Sequence, residues 1–387
     1  MVLLQEATNM ATAAGEVQLD GVCLDGLQMN DGDAEELVST ITSSGLSIRN
    51  LSLASNFIGD AGAAAVAHLF DDAPHGYRCV LSSLNLRGNS IGSKGCKVLT
   101  ERLQKNTTLK SLDLSSNSLG NEGGFCIGQM LAGNSIIERL VIRKADMTET
   151  GFTAVVSALR ERNNTVEDLS VGSQLVRSQE EFIASQISRV LETPACPLRS
   201  LDLSSSSIGD DGAKILRGAL TGHPTMRSLD LSLNRIGIIG GQALAGLFLG
   251  DSSRLSSLCL RANLIGDEGA EAFKTVLFHN KTLIKLDLRS NSINDRGLDA
   301  LAEGMTYNTT VKRLLVWGNH FGQASLRHFH DLAGGRFAMV GMSIDVHPFL
   351  VDGVFQGAEK SATADICPQE WSARLSTKNG HTWIAHP

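Results

Sequence analysis

Between residues 283 and 305 the spacing of hydrophobic positions changes from two to three and four. Leu286 and Leu288 are two apart, so on a strand both side chains point to one face. Leu298, Leu301 and Met305 follow at helical spacing. Leu283 precedes the strand and fills the same inner layer. Between strand and helix stand Asn291, whose amide can pair backbone groups of the turn and of the next coil, Ile293, which turns back into the core, and Gly297, which lets the helix start at close quarters. The same unit begins at Ile48, Leu81, Leu109, Ile137, Val166, Leu198, Met226, Leu255, Leu283 and Val311, with starts 28 to 33 residues apart. That length holds a strand, a turn and an α-helix of two to three turns. One unit cannot bury its apolar face alone, whereas stacked units bury it against one another. The pattern therefore predicts a curved α/β solenoid with parallel strands on a concave face and α-helices on a convex face.

The irregularities set the expected boundaries. Residues 1–47 hold a frayed end and a degenerate capping repeat, in which Leu27 replaces Asn and a polar helix covers about residues 32 to 43. Residues 48–322 are the array. Residues 323–387 are a C-terminal cap and tail containing the helix near Ser325, short strands from Phe337 to Glu359, and Trp371 and Trp383. Insertions lie at Phe70–Val80 and between Gly172 and Pro197. The asparagine position reads Asn56, Asn89, Asn117, then Ala145, Gln174, Ser206, then Asn234, Asn263, Asn291, Asn319. The middle three have lost Asn beside the longer insertion, so a weak joint between two regular half-arrays is expected there. Asp60, Asp210 and Asp267 suit the N-cap or first turn of their own helices.

The skeleton L-x-x-L-x-L-x-x-N-x-I-x-x-x-G is the signature of a leucine-rich repeat. From Ile48 to Phe321, the combination of N-x-I-G-D-x-G-A with L-x-x-L-x-L at 28 to 29 residues resembles the ribonuclease-inhibitor-like class. Trp317-Gly-Asn-His-Phe321 and Asp345-Val-His-Pro-Phe-Leu-Val-Asp-Gly353 are similar to the end of the leucine-rich-repeat-containing protein thirty-four group. The resemblance implies a non-catalytic interaction role in cytoplasm, nucleus or cilium. The class also includes the Ran GTPase-activating proteins, which makes GTPase activation the alternative. That family ends in a strongly acidic tail, whereas residues 352–387 here hold four acidic and three basic residues.

Composition narrows the field. The 387 residues are 42% hydrophobic and 19% charged, with a net charge of -7 and well-mixed signs, which argues against nucleic acid. No run of about 18 apolar residues suggests a membrane span. The first residues lack the basic flank and apolar core of a signal peptide. Seven cysteines, Cys23, Cys79, Cys96, Cys126, Cys196, Cys259 and Cys367, form no C-x-x-C and read as thiols of a reducing, cytoplasmic compartment. The N-x-T sequons at Asn106, Asn163, Asn280 and Asn308 precede repeat strands and read as turn residues. His320, His328 and His330 suggest a metal only weakly, because His-x-His on a helix points two rings apart. No P-loop, H-E-x-x-H or G-x-S-x-G occurs, so no enzyme chemistry and no cofactor are expected.

The outward side chains of the strands remain. A central stripe carries Asp202, Asp230 and Asp287, and the next carries Arg261, Arg289 and Trp317. Arg313 lies earlier on its strand. A Trp beside Arg is the composition of an interface hot spot. The competing reading is a solvated face with cross-strand charge pairs, and a Trp covered by the C-terminal cap. These seven residues are the expected contacts for a protein partner.

Overall fold

The computed structural model describes residues 18–44, 46–71, 79–176, 181–194, 196–250, 253–334, 341–351, 353–360, 374–376 and 382–384. The expectations for residues 1–16, for most of the 70–80 insertion, for Cys367 and for Trp371 lie outside the described residues. The chain divides into two compact units, Met1–Arg177 with Ile366–Pro387, and Ser178–Asp365.

Each unit alternates short strands with helices. In the second, six strands follow one another in parallel: Ser200–Asp202, Ser228–Asp230, Ser257–Cys259, Lys285–Asp287, Arg313–Leu315 and Ser343–Ile344. Leu201, Leu229, Leu258, Leu286, Leu314 and Ile344 align in register and all point inward. Leu203, Leu231, Leu260 and Leu288, the next inward positions, are fully buried. The first unit repeats the arrangement with Val22–Cys23, Asn50–Ser52, Ser83–Asn85, Ser111–Asp113, Arg139–Val141 and Asp168–Ser170. Its Leu86 and Leu114 are likewise buried. The capping helix is Asp31–Ser44, and it is amphipathic rather than polar all round, burying Ala34, Leu37, Val38 and Ile41.

Neighbouring coils are tied by three sets of side-chain to backbone bonds. The first is the asparagine ladder. Asn291 Nδ2 donates to the carbonyls of Leu260 (2.8 Å) and Arg289 (3.0 Å). Asn319 Oδ1 accepts from the amides of Asn291 and Ile293. Each asparagine thus serves its own turn and the preceding coil, not the following one as the repeat suggested. At the irregular centre Gln174 restores the tie, donating to Ile142 at 2.6 Å. Ala145 has no polar side-chain atom with which to make the tie, and the Ser206 hydroxyl finds no partner among the described residues.

The second set uses the sequon asparagines. Asn308 donates to Leu277 O (2.7 Å) and accepts from the amides of Thr310 and Val311. Asn280 and Asn163 bond in the same way. His223 fills this position in its repeat, where Nδ1 accepts from the Met226 amide at 3.3 Å. These amides are consumed inside the array.

The third set corrects the expected capping. Asp60 and Asp210 open their own helices, yet their carboxylates cap the next coil. Asp210 Oδ1 accepts from Gly237 (2.7 Å) and Gly240 (2.9 Å), and Asp60 Oδ1 from Gly92 and Gly95. Asp267 reaches the Asn294 amide in the same sense. Asn294 shows that the first capped position tolerates a side chain, but the second needs glycine, because a Cβ on Gly240 would meet Asp210 Oδ1 at 2.6 Å and Ile236 Cγ2 at 2.7 Å.

Beyond the last full repeat, the helix Gln323–Gly334 carries the hairpin Val346–Val351 with Val354–Glu359. Gln323 exchanges two hydrogen bonds with the Phe355 backbone. His328 faces Asp299 (3.2 Å) and Thr306, whereas His330 faces the Phe355 ring, so the two imidazoles diverge.

Two changes test this packing by urea unfolding. Leu231→Ala should cost about 2 to 5 kcal/mol as a large-to-small core change. Gly240→Ala should cost about 1 to 3 kcal/mol through overpacking. Gly218 lies within the helix Asp210–Leu220 with nothing near its Cβ direction. Gly218→Ala should therefore stabilise by about 0.5 to 1 kcal/mol, and a loss there would contradict the helix geometry.

Candidate protein-binding surface

The inward leucines fix the outward residues of the second unit, because side chains alternate along a strand. Asp202, Asp230, Cys259, Asp287 and Leu315 form one register column. Each of its aspartates first closes its own strand end. Asp202 Oδ1 accepts from the Ser204 amide and Asp230 Oδ1 from the Ser232 amide, both at 2.8 Å. Asn85 makes the same bond to Arg87 at 3.0 Å in the first unit.

Asp287 departs from the expected outward contact. It is 1% exposed, and both its oxygens bind Arg289, at 3.0 Å to Nε and 2.5 Å to Nη2. The two oxygens of Asp287 hold the Arg289 guanidinium in place. Arg261 and Arg313 are exposed. Arg313 lies beside Lys285 at the start of its strand, two positions away from the aspartate column. Trp317 is half-buried, with its ring 6.2 Å from that of Phe321 and its amide 3.1 Å from Asp345 Oδ2.

Asp345 was not singled out by the sequence pattern. Its carboxylate accepts from the Val316 amide at 2.7 Å as well as from Trp317, and so fixes the backbone beneath the Trp. The available signal was Ser343-Ile-Asp345, which repeats Ser228-Leu-Asp230 after the point where the leucine pattern fades.

Burial sets the electrostatics of the column. It raises the Asp230 carboxyl above its ordinary range, and the Asp202 charge adds to this, while the Ser232 bonds oppose it. Burial also raises Asp345, opposed by the two amides and by Arg289. The Cys259 thiol is pushed up by burial and by Asp230 and Asp287 on either side, so it stays a thiol. Among the described residues no group of three His, Cys, Asp or Glu is placed to hold a metal, and no helix is long and apolar enough to cross a membrane.

The family model described as leucine-rich repeat matches residues 79–99, 105–128, 195–216, 222–245 and 279–302. The chain carries leucine-rich repeats. No curated protein matches it. Among solved structures it is similar to the actin-binding site 2 of leiomodin-1, at 21% identity over 37% of this chain and 78% of that one, with a TM-score of 0.31. An internalin from Listeria monocytogenes is similar at 16% identity over 89% and 92%, with a TM-score of 0.45. The yeast Rad7 and Elc1 complex is similar at 14% over 85% and 80%, with a TM-score of 0.47.

The raised Asp230 gives the leucine-rich repeats a pH dependence of definite sign. The folded state takes up this proton before the unfolded state does. The group therefore costs stability at neutral pH, and the cost disappears as pH falls through its folded pKa toward the ordinary carboxylate value. Asp230→Asn should keep the Ser232 bond, as Asn85 does at Arg87, and should melt at or above the wild-type temperature at pH 7. It should also lose this acid-side gain. Asp230→Ala should lose about 1 kcal/mol with the acceptor. Thermal unfolding between pH 7 and pH 4 separates the three proteins.

Proposed function

We propose that this chain is a non-catalytic protein-binding scaffold, related to the ribonuclease-inhibitor-like class, whose partner lies across the outward face of the second unit's sheet. The observation that carries the reading is the in-register column structure. Outward side chains stand at equal heights on strands about 4.8 Å apart and form a continuous surface long enough for an extended or helical segment. Asp202, Asp230, Arg261, Arg289 and Arg313 supply alternating charge, which sets register and partner choice more than raw affinity. Asp287 serves by fixing Arg289. Trp317 supplies an apolar anchor on a backbone clamped by Asp345. Among the described residues Cys23, Cys79, Cys96, Cys126, Cys196 and Cys259 are free, which fits a reducing compartment such as the cytoplasm.

The test is affinity for a partner recovered from the native cell and then purified. Trp317→Ala should weaken binding by about 2 kcal/mol or more, as hot spots do. Arg289→Ala should slow association and flatten its salt dependence. Normal binding by both variants would place the partner elsewhere on the protein. Stimulated GTP hydrolysis by a Ran-type GTPase is the separate assay for catalysis, and a large acceleration at substoichiometric protein would replace the scaffold reading.

A further inference from the structure

Two adjacent repeats of the second unit carry large aliphatic side chains where their neighbours are small or polar. The left-handed position after each strand is Ser205, Ala262, Ser290 or Gly318, but in one repeat it is Leu233, at φ +57° and 57% exposed. The residue after the ladder asparagine is Arg235 or Ser292 in the flanking repeats, but Leu264 between them, 59% exposed. The pair at the helix start is Asp210-Asp211 or Asp267-Glu268, but Ile238-Ile239 between them, 39% and 54% exposed.

These four residues share one edge, where strands turn into helices. The Leu233 amide donates to the Arg261 carbonyl, and the Leu264 amide to that of Ile236, both at 2.8 Å. Gly266, two residues beyond Leu264, lies against Ile238, whose Cγ1 would be 3.4 Å from a Cβ built there.

The fold does not require hydrocarbon at these places. A left-handed backbone disfavours a branched side chain, and Leu233 accepts that strain without burial in return. Ile238 forgoes the carboxylate that clamps the next coil elsewhere. The following helix instead opens on left-handed Gly266 (φ +62°) bonded to the Asn291 carbonyl. The first unit makes the same start at Gly120 (φ +63°), and there the residue corresponding to Ile238 is Ser93.

We propose that Leu233, Ile238, Ile239 and Leu264 form a docking edge for a short partner segment that carries aliphatic anchors and a flanking carboxylate. Size decides against a second copy of the chain. Four partly exposed side chains offer on the order of a few hundred Å², whereas a stable complex takes about 800 Å² from each partner. Charge gives the segment its sign. On the helix side Asp211 is paired with Lys214 at 2.7 Å and Glu268 with Arg296 at 2.8 Å. Toward the sheet stands the exposed Arg261, whose carbonyl accepts from the Leu233 amide and whose guanidinium an acidic segment complements. This edge adjoins the sheet face at Arg261 and does not depend on that face being a binding surface.

The probe is a phage-displayed peptide library selected on the full chain. Aliphatic peptides with acidic residues should be enriched. Their affinity should fall about tenfold or more, or 1.4 kcal/mol, on the combined variant Leu233→Ser, Ile238→Asp, Ile239→Asp, Leu264→Ser. Each change installs a residue type already found at that position in another repeat, so the unfolding midpoint should not drop. Ile239→Asp alone, at an exposed site, provides the second variant, with a smaller loss. The double variant Arg289→Ala, Trp317→Ala should bind the peptides normally, which separates this edge from the sheet face. No enrichment, peptides that bind the combined variant equally well, or a wild-type dimer in sedimentation that the combined variant abolishes would each overturn the proposal.

Discussion

Stacking coils closely buries backbone groups in the turns that neither strand nor helix can pair. A buried N–H or C=O left alone costs about 1 to 3 kcal/mol, and every coil has several. The array answers with side chains that cross from one coil to its neighbour. Asn291 is fully buried with its amide donating to the Leu260 carbonyl, and Asn319 receives the amides of Asn291 and Ile293. A three-residue strand makes few ladder bonds of its own, so these crossings do much to fix where one repeat sits against the next.

The crossings also dictate the small residues. Asp210 reaches the amides of Gly237 and Gly240 because Gly240 holds no Cβ in its path. The carboxylate supplies an acceptor and a negative charge at the positive end of the next helix. The second glycine of the G-x-x-G spacing is therefore a statement about the neighbouring coil, and the aspartate that begins one helix is a component of another.

The same economy shapes the sheet face. Its aspartates close strand ends before they meet anything outside, and Asp287 is spent on Arg289. The guanidinium of Arg289 is thus held rigid by a buried carboxylate that offsets its charge. A preorganised charge loses less side-chain entropy on binding than a mobile one.

The period of the chain determined the strand, the helix and the inward leucines. Side-chain direction follows from spacing within one repeat, and Leu86, Leu203, Leu231 and Leu288 are buried where that spacing put them. It also aligned Asp202 with Asp230 on neighbouring strands. Tertiary structure decided which coil each polar side chain crosses to. Asp60 and Asp210 cap the following helix, the ladder asparagines reach the preceding coil, and Gln174 recovers a tie that its residue type had concealed. It also decided that Asp287 is buried and that Asp345 lies under Trp317. Such partners are separated by 26 to 36 residues for the Asp, Asn and Gln ties. A pattern within one repeat reports which face a residue takes. Only the distance and stagger between stacked coils set what stands opposite it.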